Sequence, residues 1–263
     1  MTIAVAYKWA PEAQEASVDA AGRVDFSRAK DKISDYDAVA IQVGRRLADA
    51  TGQALVGVTV SGPQAGQPVA TKAALARGLD SVLVLAEEGL DRIGPSATAS
   101  LLAGLVRQLD DVSLVLAGDS STDVGARMTA TLLAGRLGWA CLTDVEQLDW
   151  SGSDWSITRT QTWGVETFKV TGPAVLALSP TAAAVKAPGM KDILAAGKKP
   201  VRPVALTDLG LERPDQGETR ATARLTGPSR QGVVIDVSDP DAAAAVLVAA
   251  LRQSGLLVEG SQE

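Results

Sequence analysis

The sequence of 263 residues contains no histidine and only one cysteine, Cys141. These absences exclude Ser-His-Asp catalysis, histidine proton shuttling, an internal disulfide framework and the Cys/His zinc sites. The low cysteine content is typical of a reducing compartment, so we expect a cytoplasmic protein. Aromatic residues make up only 3% of the chain, and the core must therefore be built mainly from alanine, valine and leucine.

Positive charge is also scarce, since 25 basic and 31 acidic residues give a net charge of −6. An acidic chain is repelled by phosphate backbones and anionic lipids, so we expect no nucleic-acid partner. The uncharged apolar run 171–185 contains Pro173 and Pro180 and is too short to span a bilayer, which predicts no direct membrane insertion. The apolar run near Met1 has no basic residues before it and predicts a first strand, not a signal peptide.

Short apolar segments alternate with amphipathic segments over the first half of the chain. The segments that predict strands are 3–6, 54–60, 81–85, 113–117 and 139–143, and those that predict helices are 35–50, 71–77, 95–109 and 123–136. Apolar strands separated by helices pair in parallel, so the sequence predicts an α/β fold with a doubly wound, mainly parallel sheet. In such folds ligands bind beyond the carboxyl ends of the strands, here after Ala6, Val60 and Ala117.

Past residue 145 the pattern changes. Three segments alternate polar and apolar residues between glycine turns and predict an antiparallel β meander: 148–150, 156–162 and 165–170. The segments that follow predict an apolar strand (173–178), a docking loop without periodicity (187–203), an extended charged chain (204–230), and a final strand and helix (232–237 and 241–251). We therefore expect an α/β nucleotide-binding domain over 1–200, with the meander and docking loop near its end, and an extended C-terminal arm over 201–263.

The best candidate for an anion site follows the fourth predicted strand. The sequence has no G-x-G-x-x-G motif and no glycine-rich loop ending in Gly-Lys-Ser/Thr. The segment after Ala117 is instead rich in small and polar residues, which include Gly118, Ser120, Ser121, Thr122, Asp123, Val124 and Gly125. Small residues at the start of a helix expose backbone N–H groups that favour phosphate. The alternative interpretation is an ordinary Ser/Thr/Asp helix cap without a ligand.

Polar residues beside the first strand and first helix are further candidates. Ser34 and Tyr36 lie at the predicted start of the helix, and Lys8 leaves the first strand, so all three project towards the same crevice. The alternatives are a helix N-cap at Ser34 and a packing role for Tyr36.

A basic segment near the end of the predicted domain also carries apolar residues. Lys186 begins it, and Met190, Ile193 and Leu194 lie between its basic ends. Apolar residues surrounded by charge are what a docking surface needs. The alternative is an ordinary solvated run of charge.

Several segments, in this order and at this spacing, resemble the beta subunit of electron transfer flavoprotein, including the beta-type subunits of nitrogen-fixation electron pathways. Residues 6–12 are similar to the family's V-K-x-x-P-D after the first strand, and 34–47 to its N-P-F/Y-D/C-x-x-A-V-E helix start. The other similar segments are 61–63, 72–80, 163–166, 186–201, 208–210 and 230–232. The resemblance covers nearly the whole chain.

The resemblance implies an electron carrier and not an enzyme. A beta subunit of this family pairs with an alpha subunit that holds most of the FAD, and the pair moves electrons from flavin dehydrogenases to a quinone- or ferredoxin-linked acceptor. The beta subunit itself binds a structural AMP, which the resemblance places across Ala6, Ser61 and the loop that begins at Gly118. Tyr36 takes the place of an aromatic near the flavin, and Met190 that of a leucine that anchors dehydrogenases.

The chain departs from the family at two places. The nucleotide loop is shortened and Ser34 replaces an asparagine, so a second FAD in place of AMP, as in electron-bifurcating members, is an open alternative. Lys186 and Ala187 replace an arginine and a tyrosine, which implies a different dehydrogenase partner. From the residues alone, the second interpretation is a stand-alone adenine-nucleotide-binding stress or signalling protein. An ATP-pyrophosphatase-like enzyme is weaker, because no Ser-Gly-Gly-x-Asp-Ser loop follows the first strand.

Overall fold

The computed structural model describes residues 1–215 and 232–257. Contacts divide the chain into two compact units, Met1–Thr222 and Ala223–Glu263. The strands are β1 (Thr2–Ala6), β2 (Trp9–Pro11), β3 (Ser17–Val18), β4 (Val24–Asp25), β5 (Asp31–Ile33), β6 (Ala54–Ser61), β7 (Ser81–Ala86), β8 (Val112–Gly118), β9 (Ala140–Val145), β10 (Gln147–Trp150), β11 (Trp155–Gln161), β12 (Gly164–Val170), β13 (Ala174–Leu178) and β14 (Val201–Pro203). The helices are α1 (Asp35–Thr51), α2 (Pro68–Ala76), α3 (Pro95–Arg107), α4 (Thr129–Leu137), α5 (Met190–Ala196) and α6 (Pro240–Gln253).

Seven strands form the central sheet of the first unit, in the order β14-β7-β6-β1-β8-β13-β9. Neighbouring strands in this sheet pair in parallel. The chain winds outward from β1 through β6 and β7 and then returns to β8 on the other side of β1, so the winding reverses between β1 and β8. This confirms the predicted doubly wound, mainly parallel α/β fold. The antiparallel meander is confirmed as well, as β10-β11-β12.

The core forms two apolar layers because side chains of each strand alternate between the two faces of the sheet. Ile3 and Val5 of β1 pack in the layer that contains α1, α2 and the meander. Ala4 and Ala6 pack in the opposite layer, with α3 and α4. The small alanine side chains on that second face leave room beside the end of β1.

Helix α1 shows how the sequence fixes an element that positions the crevice. Val39, Val43 and Leu47 recur at a spacing of four and are all buried. The helix begins at Asp35, directly after the turn from β5, and ends at Thr51. Gly52 follows it, and its φ of +68° is a left-handed stop. These bounds match the predicted helix and place its first turn beside the end of β1.

The predicted start of the fourth helix was wrong. Helix α4 begins at Thr129 and not at Asp123. Gly125 and Arg127 have φ angles of +63° and +53°, which a right-handed helix cannot accommodate. The residues before Thr129 therefore form a loop at the carboxyl end of β8.

The docking segment was also predicted incorrectly as a loop without regular structure. It contains α5, whose N-terminus is closed by the Asp192 carboxylate accepting from the Gly189 N–H at 3.0 Å. Only Ala196 of the helix is buried, which is why the sequence shows no helical periodicity there. Strand β14 follows and joins β7 at the edge of the central sheet.

The second unit contains α6, which confirms the predicted final helix. The Asp239 carboxylate caps it by accepting from the N–H groups of Asp241 and Ala242 at 3.0 and 3.2 Å. Residues 232–237, predicted as a strand, form none, because in the described part of the chain no neighbouring strand supplies their hydrogen bonds. Most of the predicted extended chain, and part of the motif at 230–232, lie outside the described residues. Across the described ranges, no helix combines the length and the apolar character needed to cross a membrane.

Candidate functional site

A cavity of about 160 Å³ opens at the carboxyl edge of the central sheet, where the winding reverses. Its floor comes from the ends of β1, β6 and β8. One wall comes from α3 and the turn before it. It is mainly apolar, with Leu90, Ile93 and Leu102, and also includes Asp91 and Thr98. The opposite wall is the loop after β8 and the first turn of α4, which add hydroxyl groups and charge. The cavity therefore has an apolar inner part and a polar mouth.

Seven of the predicted binding residues line this cavity: Ala6, Lys8, Ser61, Gly118, Ser120, Ser121 and Val124. Five do not line it: Ser34, Tyr36, Thr122, Asp123 and Gly125. Those five lie in the segments that frame the cavity, at the start of α1 or within the loop after β8. The structure thus brings the predicted segments together around one cavity, but not every predicted side chain lines it.

Asp37 is the most buried charged residue of the cavity, only 6% exposed. Its Oδ2 accepts from the Lys8 N–H at 2.8 Å, and its Oδ1 accepts from the Gly118 N–H at 3.0 Å. One side chain of α1 therefore ties together the ends of β1 and β8. Burial raises the pKa of Asp37 to about 7, although the two backbone donors and the Lys8 ammonium act in the opposite direction.

The Lys8 ammonium forms an ion pair with Asp123, whose side chain is 11% exposed. Burial disfavours the Asp123 carboxylate, but the hydrogen bond and charge of Lys8, together with hydrogen bonds from Ser121 and the Val124 N–H, hold its pKa below the usual range. Asp123 therefore fixes the position of Lys8 at the mouth of the cavity. This pair links the end of β1 to the loop after β8.

The loop after β8 is held at its other end by Arg127. The Arg127 Nη2 group donates to Asp119 and, at 2.7 Å, to Asp144 at the end of β9. Asp119 is buried in the cavity wall, and this burial raises its pKa although Arg127 opposes the shift. Gly125 belongs to the same loop, but a Cβ there would be 3.7 Å from its nearest neighbour, so its φ of +63° and not lack of space requires glycine.

Gly118 lies at the tightest contact of the site. A Cβ on Gly118 would lie 2.6 Å from the Tyr36 Cβ and 2.7 Å from both the Tyr36 carbonyl carbon and the Asp37 Oδ1. The end of β8 and the first turn of α1 therefore touch through their backbones. Tyr36 is half-buried in this contact, and Ser34 is fully buried but makes no capping hydrogen bond.

The predicted docking residues lie away from the cavity, on and before α5. Met190, Ile193 and Leu194 are 74%, 51% and 69% exposed, and Lys186 is exposed as well. Helix α5 packs on α2. The Lys199 ammonium, which follows α5, donates to the carbonyl groups of Leu75 and Leu79 at 3.2 and 2.6 Å. The exposed apolar side chains therefore stand on an anchored helix.

Sequence reasoning missed several residues of the cavity, above all Asp37, Arg127 and the apolar wall before and on α3. The prediction placed the ligand beyond the loops after three strands and left out the loop after β7, although β7 ends at the same edge of the sheet. That edge rule was the signal that could have found Leu90 and Ile93. No sequence pattern indicated Arg127, because its partner Asp144 is distant in the sequence.

A comparison with protein families relates this fold to a known group. The family model described as "Electron transfer flavoprotein domain" matches residues 22–209, which includes most of the central sheet, the cavity loop, the meander and α5. The match spans more than half of the chain. The chain is therefore a member of the electron transfer flavoprotein domain family.

Proposed function

We propose that this chain is the beta subunit of an electron transfer flavoprotein. Proteins of this family carry electrons and are not enzymes. With an alpha subunit that holds FAD, the chain would carry electrons from flavin dehydrogenases to a quinone- or ferredoxin-linked acceptor in the cytoplasm. The observation that supports this most is the family match together with a cavity at the reversal point of the sheet, framed by the beta-type segments.

The cavity is proposed to hold AMP, and its residues fit that group. The apolar inner part, with Val60, Leu90 and Leu102, suits a flat adenine ring. The mouth offers the hydroxyl groups of Ser120 and Ser121, and the first turn of α4 leaves backbone N–H groups without partners inside the helix. The polar end of a nucleotide would therefore face the loop after β8.

The flavin is proposed to lie mainly in the alpha subunit, where it supplies the redox chemistry. Tyr36, at the start of α1, is proposed to lie near it. Residues 201–263 are proposed to form an arm that packs on the alpha subunit. Helix α6 supports this, because Val246, Leu247 and Val248 are 50%, 48% and 37% exposed and an apolar partner surface would cover them.

A purification experiment tests the proposal. We expect the chain expressed alone to be colourless and to release AMP on denaturation, as measured by absorbance and mass spectrometry. Co-expressed with its alpha-type partner, it should form a yellow complex with one FAD per pair. A colourless chain that binds AMP but forms no complex would favour the stand-alone nucleotide-binding protein. A stoichiometric flavin spectrum of the isolated chain would instead establish the type with a second FAD.

The exposed residues of α5 are proposed to dock the dehydrogenase. Truncation of Met190 to alanine should weaken coupling to the donor by about 1 kcal/mol or more, because a small apolar anchor dominates such transient contacts. The measurement is steady-state electron transfer from a reduced dehydrogenase, with thermal unfolding of the same variant. Val18→Ala is a matched control, since Val18 is 55% exposed on β3, outside the docking segment. A Met190→Ala variant with normal electron transfer but a lower Tm would assign Met190 to stability and not to docking.

A further inference from the structure

Arg127 stands out among the charged residues that line the cavity. The lining contains two cations, Lys8 and Arg127, and three carboxylates, Asp37, Asp91 and Asp119. The Lys8 ammonium is already held by a fourth carboxylate, that of Asp123. An anion entering the cavity therefore meets an acidic lining. The Lys8 ammonium keeps two of its three N–H donors, and the Arg127 guanidinium keeps more, arranged in a planar fork.

That capacity follows from how the guanidinium is held. A guanidinium has five N–H donors in a planar fork. Within the described residues, the Arg127 side chain donates two hydrogen bonds, and Nη2 donates both of them, to Asp119 and Asp144. The Nε and Nη1 groups thus have no hydrogen-bond acceptor within 1–215 and 232–257. Asp119 and Asp144 orient the guanidinium but leave most of its donors available.

The backbone conformation of Arg127 also supports a role for this residue in the cavity. Its φ of +53° is in the left-handed region, which is uncommon and unfavourable for a residue with a long side chain. Asp144, its partner on β9, has a φ of +57°. Arg127 therefore presents its cation at the cavity wall from an unfavourable backbone conformation, and glycine at position 127 would relieve that strain but remove the cation.

We propose that Arg127 recognises the phosphate group of the nucleotide, and that it is the residue by which this site distinguishes a nucleotide from a nucleoside. The proposal rests on the proposed nucleotide site. The free Nε and Nη1 donors bind the phosphate oxygens, while Nη2 remains on Asp119 and Asp144. A fixed planar fork suits phosphate better than a flexible ammonium does.

The test compares AMP and adenosine as probes on the full chain, stripped of bound nucleotide by reversible unfolding or extensive dialysis. We expect Arg127→Gln to lower the affinity for AMP at least tenfold in calorimetric titrations and to leave the affinity for adenosine unchanged. Arg136→Gln is the matched control, because Arg136 lies on α4 and is not among the lining residues. It should bind both probes like the unmodified chain.

A second variant distinguishes a loss of AMP binding from a loss of folding. Arg127→Lys keeps the charge that pairs with Asp119 but loses the fork, so it should fold normally and bind AMP with intermediate affinity. If the unmodified chain binds neither probe, the nucleotide site itself is wrong. If it binds both, and Arg127→Gln lowers neither affinity or lowers both equally, the nucleotide site stands and the role of Arg127 is wrong.

Discussion

Replacing Gly118 by alanine should destabilise the protein by about 3 kcal/mol or more. The new Cβ would lie 2.6 Å from the Tyr36 Cβ and 2.7 Å from the Tyr36 carbonyl carbon, and neither atom can move without displacing the first turn of α1. Overpacking of this kind costs roughly 1–3 kcal/mol. The shift also strains the hydrogen bond from the Gly118 N–H to Asp37. At pH 8, where this carboxyl group is ionised, a hydrogen bond to a charged group contributes about 1.5–3 kcal/mol.

Urea unfolding followed by circular dichroism measures this loss, and Gly135→Ala provides the control. Gly135 lies inside α4, and a Cβ there would meet nothing within 4 Å. Alanine at this position should stabilise the helix by roughly 0.5–1 kcal/mol. The two substitutions add the same methyl group. Opposite changes in the free energy of unfolding would therefore show that the loss in Gly118→Ala comes from the contact between β8 and α1. A Gly118→Ala variant as stable as the unmodified chain would show that this contact relaxes easily.

The central fold could be predicted because its signals are local. The strands β1, β6, β7 and β8 are apolar runs bounded by polar turns, and α1 repeats buried residues every four positions. Each pattern records which side chains are buried on folding, so the doubly wound sheet follows from pattern and order alone. The switch point between β1 and β8 then indicates where a ligand binds.

The features of the fold and of the cavity that the sequence did not predict depend on residues that are distant from one another in the sequence. The late start of α4 follows from the positive φ of Arg127, which is held by Asp119 and by Asp144 on β9. Strand β14 forms because β7 offers a free edge. Asp37 resembled an ordinary acid in the first turn of a helix. Only the meeting of β1, β8 and α1 makes it a buried link, and no local pattern predicts that meeting.

Asp37 should make the protein less stable as the pH rises from about 4 to about 7. Its pKa in the folded protein is about 7, and the ordinary value of an aspartate, expected in the unfolded chain, is 3.8. Between these values the folded state binds more protons than the unfolded state, so the free energy of unfolding falls as the pH rises and levels off above 7. The facing charges are the Lys8 ammonium, which favours the carboxylate, and the Asp123 carboxylate, which disfavours it.

The difference between the two pKa values corresponds to roughly 4 kcal/mol over the full range, at about 1.36 kcal/mol per pH unit. Asp37→Asn removes the titration, since an amide is neutral at every pH, but its NH₂ group cannot accept from one of the two backbone donors. The variant should therefore be less stable than the unmodified chain at pH 4.5 and should recover most of that difference by pH 8. Urea unfolding across this range is the measurement, with Asp49→Asn, on the exposed end of α1, as the control that keeps the unmodified slope. Parallel pH profiles for Asp37→Asn and the unmodified chain would mean that Asp37 is ionised in the folded protein throughout, and that its two backbone donors outweigh its burial.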